Sequence, residues 1–500
     1  MADIFSAAGY QTGHFGKWHL GGNYPYRPQD RGFQETVGFR AFGLTAAPNH
    51  WNSDYFDDHY LHNGKTEQYP GYCTDVWFNE AMEWIEEQGE AGKPFFAYLA
   101  TNAPHLPFWV PDRYRESYRD QDPDVASFFA MLANIDENMG RLRLLLQKTG
   151  LAENTILIYL TDNGTVGGQS VFNAGMRGNK AWLYEGGHRV PCFIHWPSGG
   201  LRDPGEIDTL TECQDLLPTL LDLCGVAPPA NTRFDGVSLA PLLHGTPQQS
   251  LRERMLVVQY GRVGPGPPQR GDATVMWNRW RLFRTQALYD LTTDPGQTTD
   301  VAQQYPHIVR KLKSHYDHWW SRVAPGIERL SAIGVGADAE NPLRLTCVDW
   351  PEAHCDTMWE IRRGPNKNSP WNLEVQENGR YLISLRRWPA ETEAAITAAM
   401  PAYRGVDGSY TAGRALPITR ARMQIGDQSL SQAVTTTDKA VHFIVDLKKG
   451  RTRLKTWFDD AAGNTLCGAF YVDIERKSPN ENKTLTATRI SNYTRTEPMY

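Results

Sequence analysis

At 500 residues the chain exceeds what one compact core takes, and domains of roughly 100–200 residues lead to the expectation of one large unit and one smaller. Hydrophobic residues make up 40% and charged residues 22%, and the formal net charge is −6, which excludes the strongly basic surface of a nucleic-acid binder. The 7 cysteines are scattered with no C-x-x-C pair, arguing against a zinc site or a dense disulfide framework, and no run of about 18 apolar residues offers a transmembrane segment.

The chain opens on Met1-Ala-Asp-Ile-Phe-Ser-Ala-Ala, which lacks the basic region and apolar core of a secretory signal. Ala2 to Gly9 reads as the end of an amphipathic helix with Gly9 as its stop, an unusual place for a chain to begin. Val76 to Glu90 has a second helical pattern. Phe95-Phe-Ala-Tyr-Leu-Ala100 and Thr155-Ile-Leu-Ile-Tyr-Leu160 are short apolar runs bounded by turn residues, expected as central strands. Between them Val125, Phe128, Leu132, Ile135, Met139 and Leu142 recur at helical spacing behind Pro123 and Asp124. Asp215 to Leu223 and Ile308 to Val323 complete the helices, so residues 1–330 are expected to form an α/β domain in which helices cover a sheet.

Beyond about residue 330 the texture changes to short β-prone runs divided by Gly, Pro, Asn and Asp. Tyr381–Leu385, His442–Leu447, Leu454–Phe458 and Gly468–Ile474 alternate apolar and polar residues, and only Ala390 to Ala399 looks helical. This predicts a β-sandwich over residues 340–476, able to fold by itself, and a polar tail over 477–500. Trp388, Trp457 and Tyr471 are candidates to stack on sugars, although aromatic residues in sandwiches are more often core.

Four segments hold residues suited to chemistry. Lys17 and His19, in Gly16-Lys17-Trp18-His19-Leu20-Gly21, face one side of an extended chain and suit an anion, while a snorkelling lysine and a core histidine fit the same residues. His105, in Asn102-Ala-Pro-His105-Leu-Pro107, follows a strand where α/β proteins place ligand loops, and the prolines aim it; a purely structural turn fits too. Thr161-Asp162-Asn163-Gly164 offers two hard oxygen ligands for Ca²⁺ or Mg²⁺, or a plain Asx turn. Lys180 closes Asn173-Ala-Gly-Met-Arg177-Gly178-Asn-Lys180, whose glycines allow backbone to approach an oxyanion, with a solvent-facing lysine as the alternative. Together they fit an oxyanion ester substrate best.

These segments resemble landmarks of the formylglycine-dependent sulfatases. Gly9 to Gly21 reads G-Y-x-T-x-x-x-G-K-W-H-L-G, followed in the family's order by P-H-x-P, T-D-N-G, N-x-x-x-R-G-x-K and E-G-G-x-R-V-P. Arg27-Pro-Gln-Asp-Arg-Gly-Phe33, Gly71–Val76 and Leu288–Pro295 extend the resemblance over about residues 1–325. It implies an alkaline-phosphatase-like α/β fold, here followed by the sandwich, and a Ca²⁺-dependent sulfuric-ester hydrolase whose nucleophile is a hydrated formylglycine. Lys17 and His19 would contact that hydrate and the sulfate, and His19 would take the proton that releases sulfate from the covalent intermediate. His105 and Lys180 would bind sulfate and assist the leaving oxygen, while Asp162 and Asn163 would hold the metal that polarises the sulfur. The partners implied are a sulfated small molecule or carbohydrate and the formylglycine-generating enzyme, and the complete protein is expected to be periplasmic or secreted.

One departure is large: no Cys or Ser here begins the family's C/S-x-P/A-x-R, which lies upstream of G-K-W-H together with the first strand and the paired aspartates that complete the metal site. The expectation is therefore an N-terminally truncated sulfatase, inactive as it stands. The alternatives are a non-catalytic relative that binds sulfated ligands, and a phosphate or phosphonate ester hydrolase of the same superfamily.

Overall fold

The segment that carries G-K-W-H is a strand, β1 (Gln11–Trp18), whose residues are buried along most of its length. In the computed structural model, which describes residues 1–261, 266–327 and 331–478 and the backbone of 494–495, β1 lies inside a five-stranded sheet. Beside it come β2 (Glu35–Arg40), β3 (His59–His62), β4 (Lys65–Gln68) and β5 (Phe95–Ala100), in the order β4-β3-β2-β1-β5. Both neighbours of β1 run parallel to it, with Gly16 opposite Gly38 on one side and Ala100 on the other. The loops that leave β1, β2 and β5 therefore emerge at one end of the sheet, the end where parallel α/β sheets bind ligands.

Helix α1 (Ala2–Ala7) stops as its sequence predicts, with Gly9 at φ 91°. The long helices α2 (Cys73–Glu90) and α3 (Pro123–Lys148) match their periodic patterns. Asp122 caps α3 by accepting the N–H of Asp124, and Pro123 fits the first turn because it has no N–H to leave unpaired. Trp77, fully buried on α2, packs near Phe39 of β2 and so seats the helix against the sheet.

The two apolar runs expected as central strands behave differently. Among the described residues β5 is the last strand of its sheet, and β6 (Leu157–Leu160) pairs only with β7 (Cys192–His195), antiparallel, in a two-stranded sheet of its own. Tyr98, Leu160 and Phe193 stay exposed there. An apolar run signals a strand but carries no information on its neighbours. A four-stranded antiparallel sheet, Leu256–Gln259, Ala273–Trp277, Trp280–Phe283 and Ala287–Asp290, packs against helix Pro306–Ile327.

The C-terminal β-sandwich has two antiparallel-rich sheets around one large apolar core. It starts before residue 340, because Ile333–Val335 already pairs with Trp371–Val375. Ala390–Ala399 holds only a short 3₁₀ turn, Ala390–Thr392, and Ile396 beyond it is buried. Trp388 and Tyr471 are core residues and cannot stack on a sugar, while Trp457 is half-buried beneath the Arg422 guanidinium. The expected tail lies outside the described residues apart from Lys477, Ser478 and the backbone of 494–495. All 7 cysteines are free, and among the described residues no helix is long and apolar enough to cross a membrane.

Candidate functional site

Lys17 reaches the ligand end of β1 because Gly16 lets three strands close up beside it. A side chain at Gly16, whose φ is 108°, would place its Cβ 2.2 Å from the Ala100 carbonyl oxygen. The Lys17 carbonyl is fixed in turn by buried His14, whose Nε2 lies 3.1 Å from it. Trp18 turns inward and donates its indole N–H to the Tyr26 carbonyl at 2.8 Å, which leaves Lys17 half-buried and His19 exposed at the strand's end.

The loop after β5 is anchored through Asn102, which is 2% exposed and accepts the Trp77 indole N–H at 3.0 Å. The His105 N–H then donates to the Asn102 carbonyl at 2.8 Å, and its Nδ1 lies 2.7 Å from the Leu106 carbonyl. The second contact makes Nδ1 the protonated nitrogen of a neutral ring and leaves Nε2 as the free acceptor.

Asp162 and Asn163 follow β6. Their loop lies directly on the E-G-G segment: Gly164 N–H donates to the Gly187 carbonyl at 3.0 Å, and a Cβ on Gly164 would sit 1.9 Å from the Gly186 carbonyl oxygen. The E-G-G segment is itself pinned by buried Glu185, which accepts the Arg281 guanidinium at 2.7 Å. Arg177 is likewise structural, donating to the Gln297 carbonyl and lying over the Tyr184 ring. Lys180 N–H donates to Thr165 at 3.2 Å, which ties the lysine loop back to the loop of Asp162.

Five of the six expected residues meet electrostatically. Burial pushes the Lys17 ammonium below its usual range, Asp162 acts to raise it and Lys180 to lower it. His19, though exposed, is lowered as well, first by partial desolvation of its ring and further by Lys17 and Lys180, against Asp162. His105 falls to about 4, mainly through burial and further through the charges of Lys180 and Lys17. The site thus brings together two ammonium groups, one carboxylate and two imidazoles that burial and the neighbouring ammonium charges keep neutral near pH 7. Asn163 sits half-buried beside Asp162, and among the described residues its side chain makes no hydrogen bond to the others.

Phe42, two residues past β2, joins these residues, its ring centroid 5.9 Å from that of His19 and 6.3 Å from that of His105. No motif surrounds it, and its place follows from the pairing of β2 with β1.

Calcium surrounds itself with about 6–8 oxygens. Asp162 and Asn163 are two adjacent hard-oxygen side chains, and among the described residues no three His, Cys, Asp or Glu side chains converge as a metal site. The described residues therefore do not by themselves fit a calcium ion.

The chain matches the family model described as Sulfatase over residues 1–226 and the one described as N-sulphoglucosamine sulphohydrolase, C-terminal, over 177–320. It is 31% identical to the uncharacterized sulfatase YdeN of Escherichia coli (strain K12), over 50% of this chain and 48% of the relative. It is 30% identical to the N-acetylgalactosamine-6-sulfatase of Canis lupus familiaris, over 49% and 48%. With human Arylsulfatase A it shares 32% identity, over 63% of this chain and 69% of the relative. The chain spans about half the length of the YdeN sulfatase and of the canine, mouse, rat and human N-acetylgalactosamine-6-sulfatases. The crystal structure of Ps i-CgsB in complex with k-i-k-neocarrahexaose has the same fold, with a TM-score of 0.55 and 24% identity over 64% of this chain and 73% of that one.

Proposed function

The chain belongs to the formylglycine-dependent sulfatase family, and from that premise we propose that the ends of β1 and β5 and the loop of Lys180 bind the sulfate group of a sulfate ester. The observation that carries this reading is the mutual influence of Lys17, His19, His105, Asp162 and Lys180 at the ligand end of a parallel sheet. Lys17 and Lys180 bind the anion by charge. Neutral His105 presents Nε2 to receive a proton, and His19, exposed at the rim, is placed to exchange protons with solvent or leaving group. Asp162 balances the two ammonium groups, and with Asn163 it would offer two oxygens toward a calcium shell whose remaining ligands are not among the described residues. A formylglycine made by the formylglycine-generating enzyme would be the nucleophile that such a site serves.

A carbohydrate ester is the proposed substrate class, supported by the name of the canine relative, a sulfatase of an amino sugar. A non-catalytic sulfate-binding role is favoured by one observation, the absence of C/S-x-P/A-x-R from residues 1–500. Calorimetric titration with inorganic sulfate, and separately with phosphate, tests the site. Sulfate is expected to bind to the wild type and to lose most of its affinity in Lys17→Met and Lys180→Met, with the melting temperature unchanged. Wild-type affinity in both variants would remove the assignment, and a preference for phosphate would move the chain toward phosphate ester hydrolysis.

A further inference from the structure

Phe42 is an apolar side chain held where apolar packing does not require it. It is half-buried, it belongs to neither the α/β core around Phe39 and Trp77 nor the sandwich core, and its ring neighbours are the imidazoles of His19 and His105. The loop that carries it is fixed at both ends. Asn49 accepts the Arg40 N–H at 3.0 Å and donates to the Gly43 carbonyl at 2.7 Å, closing the loop on itself. Leu44, Thr45 and Ala46 are buried immediately behind it. The sandwich then clamps it: Met358 N–H donates to Thr45 at 3.0 Å and Ala47 N–H donates to Asp356 at 2.8 Å. Phe42 is thus presented by a rigid loop at the mouth of an anion site, with a flat apolar face beside both imidazoles.

We propose that Phe42 is the specificity residue for the leaving group, the surface on which the flat face of a ring bearing the sulfate packs while the sulfate lies among Lys17, Lys180 and the two imidazoles. This rests on the sulfate-binding reading above and adds to it the shape of what carries the sulfate. A pyranose offers a face of C–H groups and an aryl ring offers a π-face, and both complement the phenyl ring. An open-chain alkyl sulfate has the same charge and no such face.

The test is binding to the full chain, which needs no turnover. Inorganic sulfate, ethyl sulfate, 4-nitrophenyl sulfate and N-acetylgalactosamine 6-sulfate are titrated into wild type, Phe42→Ala and Phe42→Leu, with circular dichroism to show that each variant is folded. Both variants are expected to lose roughly 3- to 10-fold in affinity for the ring esters, and to keep inorganic and ethyl sulfate within about twofold. The larger loss, aryl or sugar, identifies which ring the site takes. Equal losses for ethyl sulfate and the ring esters, or no loss, would overturn the inference while leaving sulfate binding in place. Failure of the wild type to bind any of the four probes would remove the sulfate-binding reading and this inference with it.

Discussion

Arg40, the last residue of β2, holds Glu340 of the sandwich at 3.0 Å, across the seam between the two domains. Glu340 also accepts the Tyr24 N–H at 2.7 Å and lies 3.8 Å from the Arg27 guanidinium. With its side chain only 6% exposed, the carboxylate accepts hydrogen bonds from two donors of the α/β domain and faces the charge of a third group, Arg27. Glu340→Ala would leave the Arg40 guanidinium without its carboxylate in a half-dry seam, while Arg27 keeps Asp30 at 2.8 Å, and removing one partner of a buried pair costs about 3–5 kcal/mol. Thermal unfolding should show this as a lower midpoint for the whole chain. A drop confined to the sandwich signal would show instead that the domains melt independently.

That seam bears on what the sequence made visible. Residues Gly43 to Asp58 precede the sandwich by hundreds of positions, yet Ala47 and Trp51 belong to its apolar core and Trp51 packs edge-on against Trp388. The alternation of Tyr381–Leu385 and His442–Leu447 gave the sandwich its strands because a half-buried strand needs only local period two. No local pattern announces a loop recruited from another domain. The same division holds in the site. Lys17, His105, Asp162 and Lys180 could be picked out because each sits within a few residues of a strand end or a glycine turn. Phe42 could not, because its neighbours come from strand pairing and from a clamp formed by residues 356–358.

A second buried pair sits in the region matched to the sulphohydrolase C-terminal model. Asp215 is fully buried and accepts both Arg254 nitrogens, at 2.7 and 2.6 Å. Burial raises its carboxyl, but the Arg254 hydrogen bonds and the Glu212 and Val237 N–H groups outweigh it and hold the carboxyl below the usual range. A carboxyl depressed in the folded state adds stability that is complete above its unfolded value, near about 4, and is lost as pH falls through the folded value. Denaturant midpoints should therefore be insensitive to this pair from pH 6 to 8, within about 0.5 kcal/mol, and fall below about pH 4. Asp215→Asn should cost about 3–5 kcal/mol at neutral pH and flatten the acid limb. An unchanged acid limb would assign it to other carboxylates.

Anion binding should take up protons. His105 titrates near about 4 in the free protein, and His19 is lowered in the same direction, so both are neutral at pH 7. A sulfate dianion beside them favours their charged forms, which raises both values in the complex. By linkage, affinity for sulfate then strengthens as pH falls through the raised values of the complex toward the free His105 value of about 4. Titration in buffers of different ionisation enthalpy measures the proton uptake directly. His105→Gln should reduce it, and uptake unchanged in that variant would place the proton elsewhere.

Binding is not turnover, and covalent catalysis needs a nucleophile as well as an anion site. None of the 7 cysteines and no serine begins C/S-x-P/A-x-R, so co-expression with the formylglycine-generating enzyme should leave every cysteine of residues 1–500 unmodified, as peptide mass spectrometry would show. Lys17, His19, His105 and Lys180 can bind and polarise an ester, but general acid–base assistance contributes only about 10²–10⁴-fold. Enzymes accelerate their reactions on the order of 10⁶-fold or more, and without a covalent nucleophile the difference has no source among these side chains. The chain with calcium should therefore release no sulfate from an aryl sulfate above the uncatalysed background. Release by the chain as it stands would mean that one of its own residues is the nucleophile, and labelling with a mechanism-based aryl sulfamate would identify it. Release only after a C-x-P-x-R segment is supplied ahead of Met1 would assign the covalent step to that segment and leave to Lys17, His105 and Lys180 the binding of the group that it transfers.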